Sequence, residues 1–452
     1  MLYFLPWLYI LTIVNYLKAG RMKMDHVNDD KNIVNLTNKA QKTAKKQNVK
    51  VSKMAIFSLS SIPLVMTLGN SMLIPVLPAI EKKLDISSFQ VSMIITVYSV
   101  LAIILIPVAG YLSDRIGRKR VIIPSLIIAG IGGVISGFAA WLMDNSYWII
   151  LIGRALQGVG AAGAFPIVLP LVGDLFKDEE QVSSTLGVIE TANTFGKVLS
   201  PILGAFLAGF IWFIPFMSIP VFCLVSIILI LIFVKSPKSN EKPVPFKEFI
   251  QHTKETMHKD KKWLYAIFFI GVIVMFVLFA EMFYLSDILE KKYHIKNVKK
   301  GLYLAIPLGA LCLTSYITGK KIKKDKNLMR WITFIGLLAI IIGTIALNFS
   351  DNMWFIILFL TLAGIGIGAS LPPLDALITE GIEKKERGTI TSIYSSMRFI
   401  GVAAGPPIMA ILMKHIDHLQ FYLLSAVTLI AAIAAFFRLK YVDGQEENKI
   451  NQ

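Results

Sequence analysis

Long apolar runs alternate with short polar breaks along most of the chain. Twelve such runs fall at residues 54–80, 89–112, 121–142, 147–172, 184–207, 209–234, 263–286, 301–319, 328–349, 353–376, 388–412 and 419–438. About 20 apolar residues in a helix cross a hydrocarbon layer of ~30 Å. An unpaired strand edge cannot sit in lipid, so the runs predict helices, numbered here as spans 1–12. The predicted fold class is an all-α membrane protein. Ahead of span 1, residues 1–17 are apolar but short, and Pro6 and Asn15 break them. They lack the basic start and small-residue cleavage site of a signal peptide. Two readings stay open: an upstream extension with Met22 or Met24 as the start, or an extra interfacial or spanning helix. Residues 18–53 are polar and Lys-rich and read as a disordered tail. Residues 235–262 form the longest polar stretch between spans, so the body divides into bundles at 54–234 and 263–440, with a further tail at 441–452.

Composition agrees with a membrane body. Hydrophobic residues make up 55% of the chain and charged residues 17%, with a mean hydropathy of +0.65. Soluble domains carry about a quarter charged residues. The net charge of +17 first suggests nucleic acid, but its distribution argues against that. With residues 18–53 inside, 35 of the 46 Lys and Arg fall on the predicted cytoplasmic side, 8 in outer loops and 3 within spans. Such asymmetry orients the body with both ends in the cytoplasm, and predicts a multi-pass protein of the cell membrane, bacterial by its Lys- and Ile-rich composition. One loop, Lys291 to Lys300, is basic yet predicted to lie outside. Cys223 and Cys312 sit in apolar segments, and neither a disulfide framework nor a paired-cysteine metal site is expected. All six histidines fall outside the spans, so no intramembrane histidine relay, metal or cofactor is expected, and no catalytic triad stands out.

The two bundles repeat weakly. At an offset of 206, Gly158, Gly160, Pro166 and Asp174 fall on Gly364, Gly366, Pro372 and Glu380. At 205, Gly196 and Pro201 fall on Gly401 and Pro406. Transporters built from two repeated bundles bind substrate between them.

Charge inside the spans is where chemistry belongs, because each ionisable side chain at the bilayer centre costs roughly 2.5–3.5 kcal/mol on insertion scales. Span 5 carries Glu190, Asn193, Thr194 and Lys197 on one face. Thr391, Tyr394, Ser395 and Arg398 form a counterpart on span 11. Arg154 lies in span 4 and Glu281 in the outer part of span 7. Glu281, Arg154, Glu190, Lys197 and Arg398 are the candidates for proton coupling.

Three motifs carry more specific spacing. Between spans 2 and 3 runs GYLSDRIGRKR, residues 110–120. Gly110 allows close helix approach, Asp114 accepts hydrogen bonds at a helix start or pairs with an arginine from a neighbour, Gly117 permits a tight turn, and Arg115, Arg118 and Lys119 belong to the basic cluster that anchors the loop in the cytoplasm. Span 4 contains Arg154, Gln157, Gly158 and Gly160 as RxxQGxG. In span 5, Gly187 and Gly196 precede Ser200, Pro201 and Gly204. Span 1 adds Asn70, Pro75 and Pro78 in NSMLIPVLP.

Over residues 54–440 these motifs resemble the major facilitator superfamily, and within it the twelve-helix drug:proton antiporters. GYLSDRIGRKRV matches the superfamily's loop motif, which there acts as a cytoplasmic latch. RxxQGxG is similar to the antiporters' span 4 motif, whose arginine is implicated in proton coupling. The span 5 pattern is similar to their G(x)8GxxxGPxxG signature, with Ser200 in place of a glycine. The resemblance implies two six-helix bundles working by alternating access, with spans 1, 4, 7 and 10 lining a central cavity. On that frame Arg154 and Glu281 lie at similar depth and are expected to approach when the outer mouth closes.

The expected function is proton-coupled efflux of drugs or other amphiphilic small molecules by a monomer in the lipid bilayer. A second expectation is an exporter of one metabolite or lipid-like anion, since Arg154, Lys197 and Arg398 outnumber Glu190 and Glu281 in the spans. A third is a transporter-shaped sensor. No ATPase motif is present; Gly196 and Lys197 mimic the end of a phosphate loop, but Val198 and Thr191 stand where the motif needs Ser/Thr and Gly.

Overall fold

A computed structural model of the chain describes residues 53–176, 179–234, 261–322, 325–349, 351–382, 384–415 and 419–439. The apolar start, the Lys-rich tail up to residue 52, the linker up to residue 260 and the 441–452 tail lie outside the described residues. Each apolar run forms a helix. Span 1 is Lys53–Ser71, continued by a 3-10 turn at Ile74–Val76 and by Leu77–Leu84. Spans 2–6 are Ser88–Ile116, Arg118–Leu142, Tyr147–Leu175, Glu179–Phe210 and Ile214–Phe233. Spans 7–12 are Lys261–Lys291, Asn297–Ile322, Lys326–Ala346, Met353–Gly381, Lys384–His415 and Leu419–Arg438. No strand occurs among the described residues.

Most helices run past the ends predicted from hydropathy. Polar side chains at a helix end are solvated at headgroup depth while the backbone keeps its internal hydrogen bonds. Span 10 was predicted to stop at 376 and continues to Gly381, which places Asp375 well inside the helix rather than at its end. Among the described residues, eleven helices are long and apolar enough to cross a membrane. Span 5 is not among them, because Glu190, Thr191, Asn193, Thr194, Lys197 and Ser200 dilute its hydropathy.

Local signals set the helix ends. Ser87 accepts from the Gln90 backbone N–H at 3.2 Å while Gln90 Oε1 accepts from the Ser87 N–H at 2.9 Å, a capping box that starts span 2. Asp325 caps span 9 and Asn352 caps span 10 through their side-chain oxygens. Gly117, at φ 104°, turns the chain from span 2 into span 3 in a single residue. Large apolar side chains such as Trp148, Phe210, Ile232 and Phe437 remain more than 60% exposed. A soluble monomer rarely leaves such a surface bare, and lipid is the solvent that suits it.

The weak sequence repeat is a repeat of packing. Gly158 lets span 4 press on the Tyr98 carbonyl of span 2, and Gly364 lets span 10 press on the Pro307 carbonyl of span 8. A Cβ on Gly160 would lie 2.6 Å from Ala129 Cβ in span 3; one on Gly366 would lie 2.8 Å from Ile340 Cγ1 in span 9. Gly196 closes span 5 on Leu64 and Thr67 of span 1, and Gly401 closes span 11 on Val272 and Phe276 of span 7. Small residues at these crossings gain dispersion contact where no hydrophobic effect separates helix from lipid.

The halves meet reciprocally, span 2 with span 11 and span 5 with span 8. Thr96 Oγ1 donates to Ala403 O at 2.8 Å. Gly301 packs on the backbone of Pro201 and Ile202. On the predicted outer side, Ser286 Oγ donates to Ile74 O at 2.8 Å and Lys291 pairs with Glu81 at 3.0 Å, joining span 7 to span 1. The anomalous basic loop is explained by its partners. Lys291 also meets Asp287 at 2.7 Å, Lys292 meets Asp351 at 2.5 Å, and buried Lys300 meets Glu290 at 2.8 Å. Three of its lysines hold local carboxylates.

Candidate functional site

Arg154 is fully buried and its guanidinium is fully engaged. Nε donates to Ile94 O at 2.8 Å, Nη1 to Gly69 O at 3.0 Å and to Gln157 Oε1, and Nη2 to Asn70 Oδ1 at 2.7 Å. The regular helix of span 1 stops at Ser71, which deprives the carbonyls of its last turn, Gly69 included, of their helical donors. Arg154 takes that one up. Its Cζ also lies 4.6 Å from the centroid of the Tyr98 ring. The arginine therefore clamps spans 1, 2 and 4 together through neutral partners.

Glu281 is 1% exposed and accepts from Thr344 Oγ1 of span 9 at 2.8 Å. The same hydroxyl lies 2.8 Å from the Ile340 carbonyl. A hydroxyl has one proton and cannot donate to both oxygens. Both bonds are complete only when Glu281 itself carries a proton and donates it to Thr344. The expected meeting of Arg154 and Glu281 is not formed here. Each is held inside its own half although the predicted outer side is closed, because Glu281 faces span 9 and Arg154 faces spans 1 and 2.

The polar stripes of spans 5 and 11 do come together. Thr67 Oγ1 donates to Asn193 Oδ1 at 2.6 Å, and Asn193 Nδ2 donates to Glu190 Oε1 at 3.1 Å. Arg398 Nη1 lies 3.3 Å from Asp375 Oδ1, with its Cζ 5.6 Å from the Tyr394 ring centroid. Asp375 escaped the sequence reading because the hydropathy boundary of span 10 fell beside it.

Next to this cluster lies a small cavity of about 20 Å³ between the halves. Spans 1 and 5 line it with Ser71, Ile74, Lys197 and Pro201, and spans 7 and 8 with residues such as Leu278, Phe279 and Leu308.

The loop motif acts within the first half and touches the second. Arg118 pairs with Asp114 and, at 3.1 Å, with Asp174 at the end of span 4, and it donates to Ser113 at 2.7 Å. Lys119 Nζ donates to Val234 O at 2.7 Å, at the end of span 6. Gly110 leaves room for Ser392 of span 11, whose Oγ would lie 3.3 Å from an added Cβ. Arg115 is exposed, and Gly117 makes the turn. In the span 5 motif, Gly196 faces Leu64 and Thr67 of span 1, and Ser200 Oγ donates to Gly196 O at 2.5 Å. Gly187 faces open space. Pro201 has no N–H, so the Lys197 carbonyl loses its helical donor.

Comparison with known proteins agrees with this geometry. The family model described as Major Facilitator Superfamily matches residues 59–334 and 325–452. The chain is 54% identical to the bacillibactin exporter of Bacillus subtilis over 87% of this chain and 98% of that one. It is 24% identical to multidrug resistance protein 2 of the same species, over 83% of this chain and 93% of that one. Among solved structures, the human organic anion transporter MFSD10 (TETRAN) superposes with a TM-score of 0.68 at 16% identity, over 85% of this chain and 99% of that one. A bacterial homologue of the human lysosomal transporter Spinster gives a TM-score of 0.69 at 16% identity, over 85% and 96%.

Proposed function

The chain belongs to the major facilitator superfamily, and on that premise we propose that it exports one metabolite, bacillibactin or a compound of that kind, in exchange for protons. The observation that carries this reading is the 54% identity to a bacillibactin exporter across 98% of that protein's length. Relatives named for drug efflux share only 24–25% identity with this chain, so a single metabolite is favoured over a broad range of drugs. The central cluster supports the same choice. Lys197 gives the cavity between the halves a cation, which suits an anion better than a cationic drug.

Alternating access supplies the cycle. Substrate enters from the cytoplasm, the halves rock about the paired contacts of spans 2 with 11 and 5 with 8, and the outer side opens when Lys291 leaves Glu81. Asp375 releases Arg398 when it takes a proton, and Glu281 holds a proton against Thr344. Those two carboxylates are the proton carriers of this reading; Arg154 and Lys197 serve structure and substrate. Deleting the gene in its own host and measuring bacillibactin inside and outside the cells tests the reading. Retention inside with loss from the medium is expected. Unchanged secretion would overturn it.

A further inference from the structure

Lys197 is 6% exposed, and its Nζ has no hydrogen-bond partner and no paired carboxylate among the described residues. Every other buried cation discussed above is satisfied: Arg154 by four oxygens, Lys300 by Glu290 and Arg398 by Asp375. An ammonium held out of water without a partner is costly, and Lys197 lines the cavity between the halves. Its neighbours there are apolar, among them Leu278, Phe279 and Leu308. The nearby carboxylates are engaged elsewhere, Asp375 by Arg398 and Glu190 by Asn193. Pro201, one turn on, also lines the cavity and removes the helical donor from the Lys197 carbonyl. Among the described residues the chamber thus presents a free cation beside an apolar wall.

We propose that Lys197 is the anion-recognition group of this transporter. The transported compound presents a negatively charged oxygen to the ammonium and lays an aromatic or aliphatic body against spans 7 and 8. This rests on the export reading and narrows it to anionic amphiphiles. A charge-assisted hydrogen bond in a site shielded from water is roughly twice as strong as a neutral one, so the missing bond belongs to the substrate.

The test uses purified full-length protein in phosphatidylcholine nanodiscs. The probes are 1-anilinonaphthalene-8-sulfonate, an anionic amphiphile, and ethidium, a cationic one. The Lys197→Met variant is expected to bind the anionic probe at least tenfold more weakly, Lys197→Arg to retain it, and ethidium to change less than twofold. The methionine variant is also expected to melt no lower than wild type without ligand, since it removes an unpaired buried charge, and to lose the rise in Tm that the anionic probe gives wild type. Unchanged affinity in Lys197→Met, or equal loss for both probes, would overturn the proposal and leave the export reading standing. Repeating the titration with phosphatidylglycerol nanodiscs separates a lipid headgroup from a free solute. Competition by the lipid makes the occupant a membrane anion, and its absence makes it a soluble one. If Lys197→Met loses the anionic probe while the deletion strain secretes normally, the export reading fails and the anion site stands.

Discussion

The ammonium of Lys291 lies 3.0 Å from Glu81 Oε1, joining the end of span 7 in one half to the end of span 1 in the other. The same ammonium meets Asp287 at 2.7 Å and Ser88 Oγ at 3.3 Å. Exposed ion pairs contribute about 0.2–1 kcal/mol each, so this lock biases a two-state equilibrium by up to about fivefold. Replacing Lys291 by Met removes both pairs and leaves the carboxylate of Asp287, itself 8% exposed, without that cation. Spin labels on Lys83→Cys and Lys296→Cys report the opening. Lys291→Met is expected to populate longer distances more than Glu81→Gln does, and Lys291→Arg to stay near wild type. An unchanged distribution in Lys291→Met would rule out the lock.

The glycines of the span 5 motif are not equivalent. A Cβ at Gly204 would run into Met72, whereas one at Gly187 meets nothing within 4 Å. Overpacking costs about 1–3 kcal/mol, while an exposed helical glycine gains up to ~1 kcal/mol on becoming alanine. Gly204→Ala is therefore expected to lower the melting temperature of the purified protein, and Gly187→Ala to leave it level or raise it. The repeat makes a parallel prediction: Gly158→Ala and Gly364→Ala should lower it by similar amounts, because each meets a backbone carbonyl of the equivalent helix.

Arg154 predicts a stability loss rather than a simple loss of charge. Leaving a buried acceptor unsatisfied costs about 1–3 kcal/mol, and Arg154 serves Ile94, Gly69, Gln157 and Asn70. Arg154→Ala should sharply lower the melting temperature and transport. Arg154→Lys should rescue little, because an ammonium cannot reproduce the fork of a guanidinium. A lysine variant of wild-type stability would contradict the clamp.

Much of this architecture was legible from residue spacing. Apolar run length placed all twelve helices because lipid leaves the backbone few alternatives. The glycines at 158, 160, 364 and 366 were visible as a repeat, and packing explains why those positions recur. The stripe from Glu190 to Lys197 was visible because one helix face carried every polar group. Pairings between helices were not legible, since they depend on side-chain direction across a crossing. Nothing in the order of residues told that Arg154 would turn to Asn70 and Glu281 to Thr344 rather than to each other. Asp375 was missed for a different reason: it lay one residue inside the predicted end of span 10 and was not counted among the charges within the spans.

The central claim is that protonation of two carboxylates in the second half, Asp375 and Glu281, drives export. Asp375 is 33% exposed as a side chain and reachable by water, and its partner Arg398 sits at 3.3 Å. Asp375→Asn keeps the shape and removes the charge that protonation would remove. Everted membrane vesicles with an acid interior, supplied with bacillibactin outside, test it most directly. Wild-type vesicles are expected to accumulate the compound until a protonophore collapses the gradient, and Asp375→Asn vesicles to lose the gradient-driven part. Accumulation that persists in wild type after the gradient is collapsed would contradict the account.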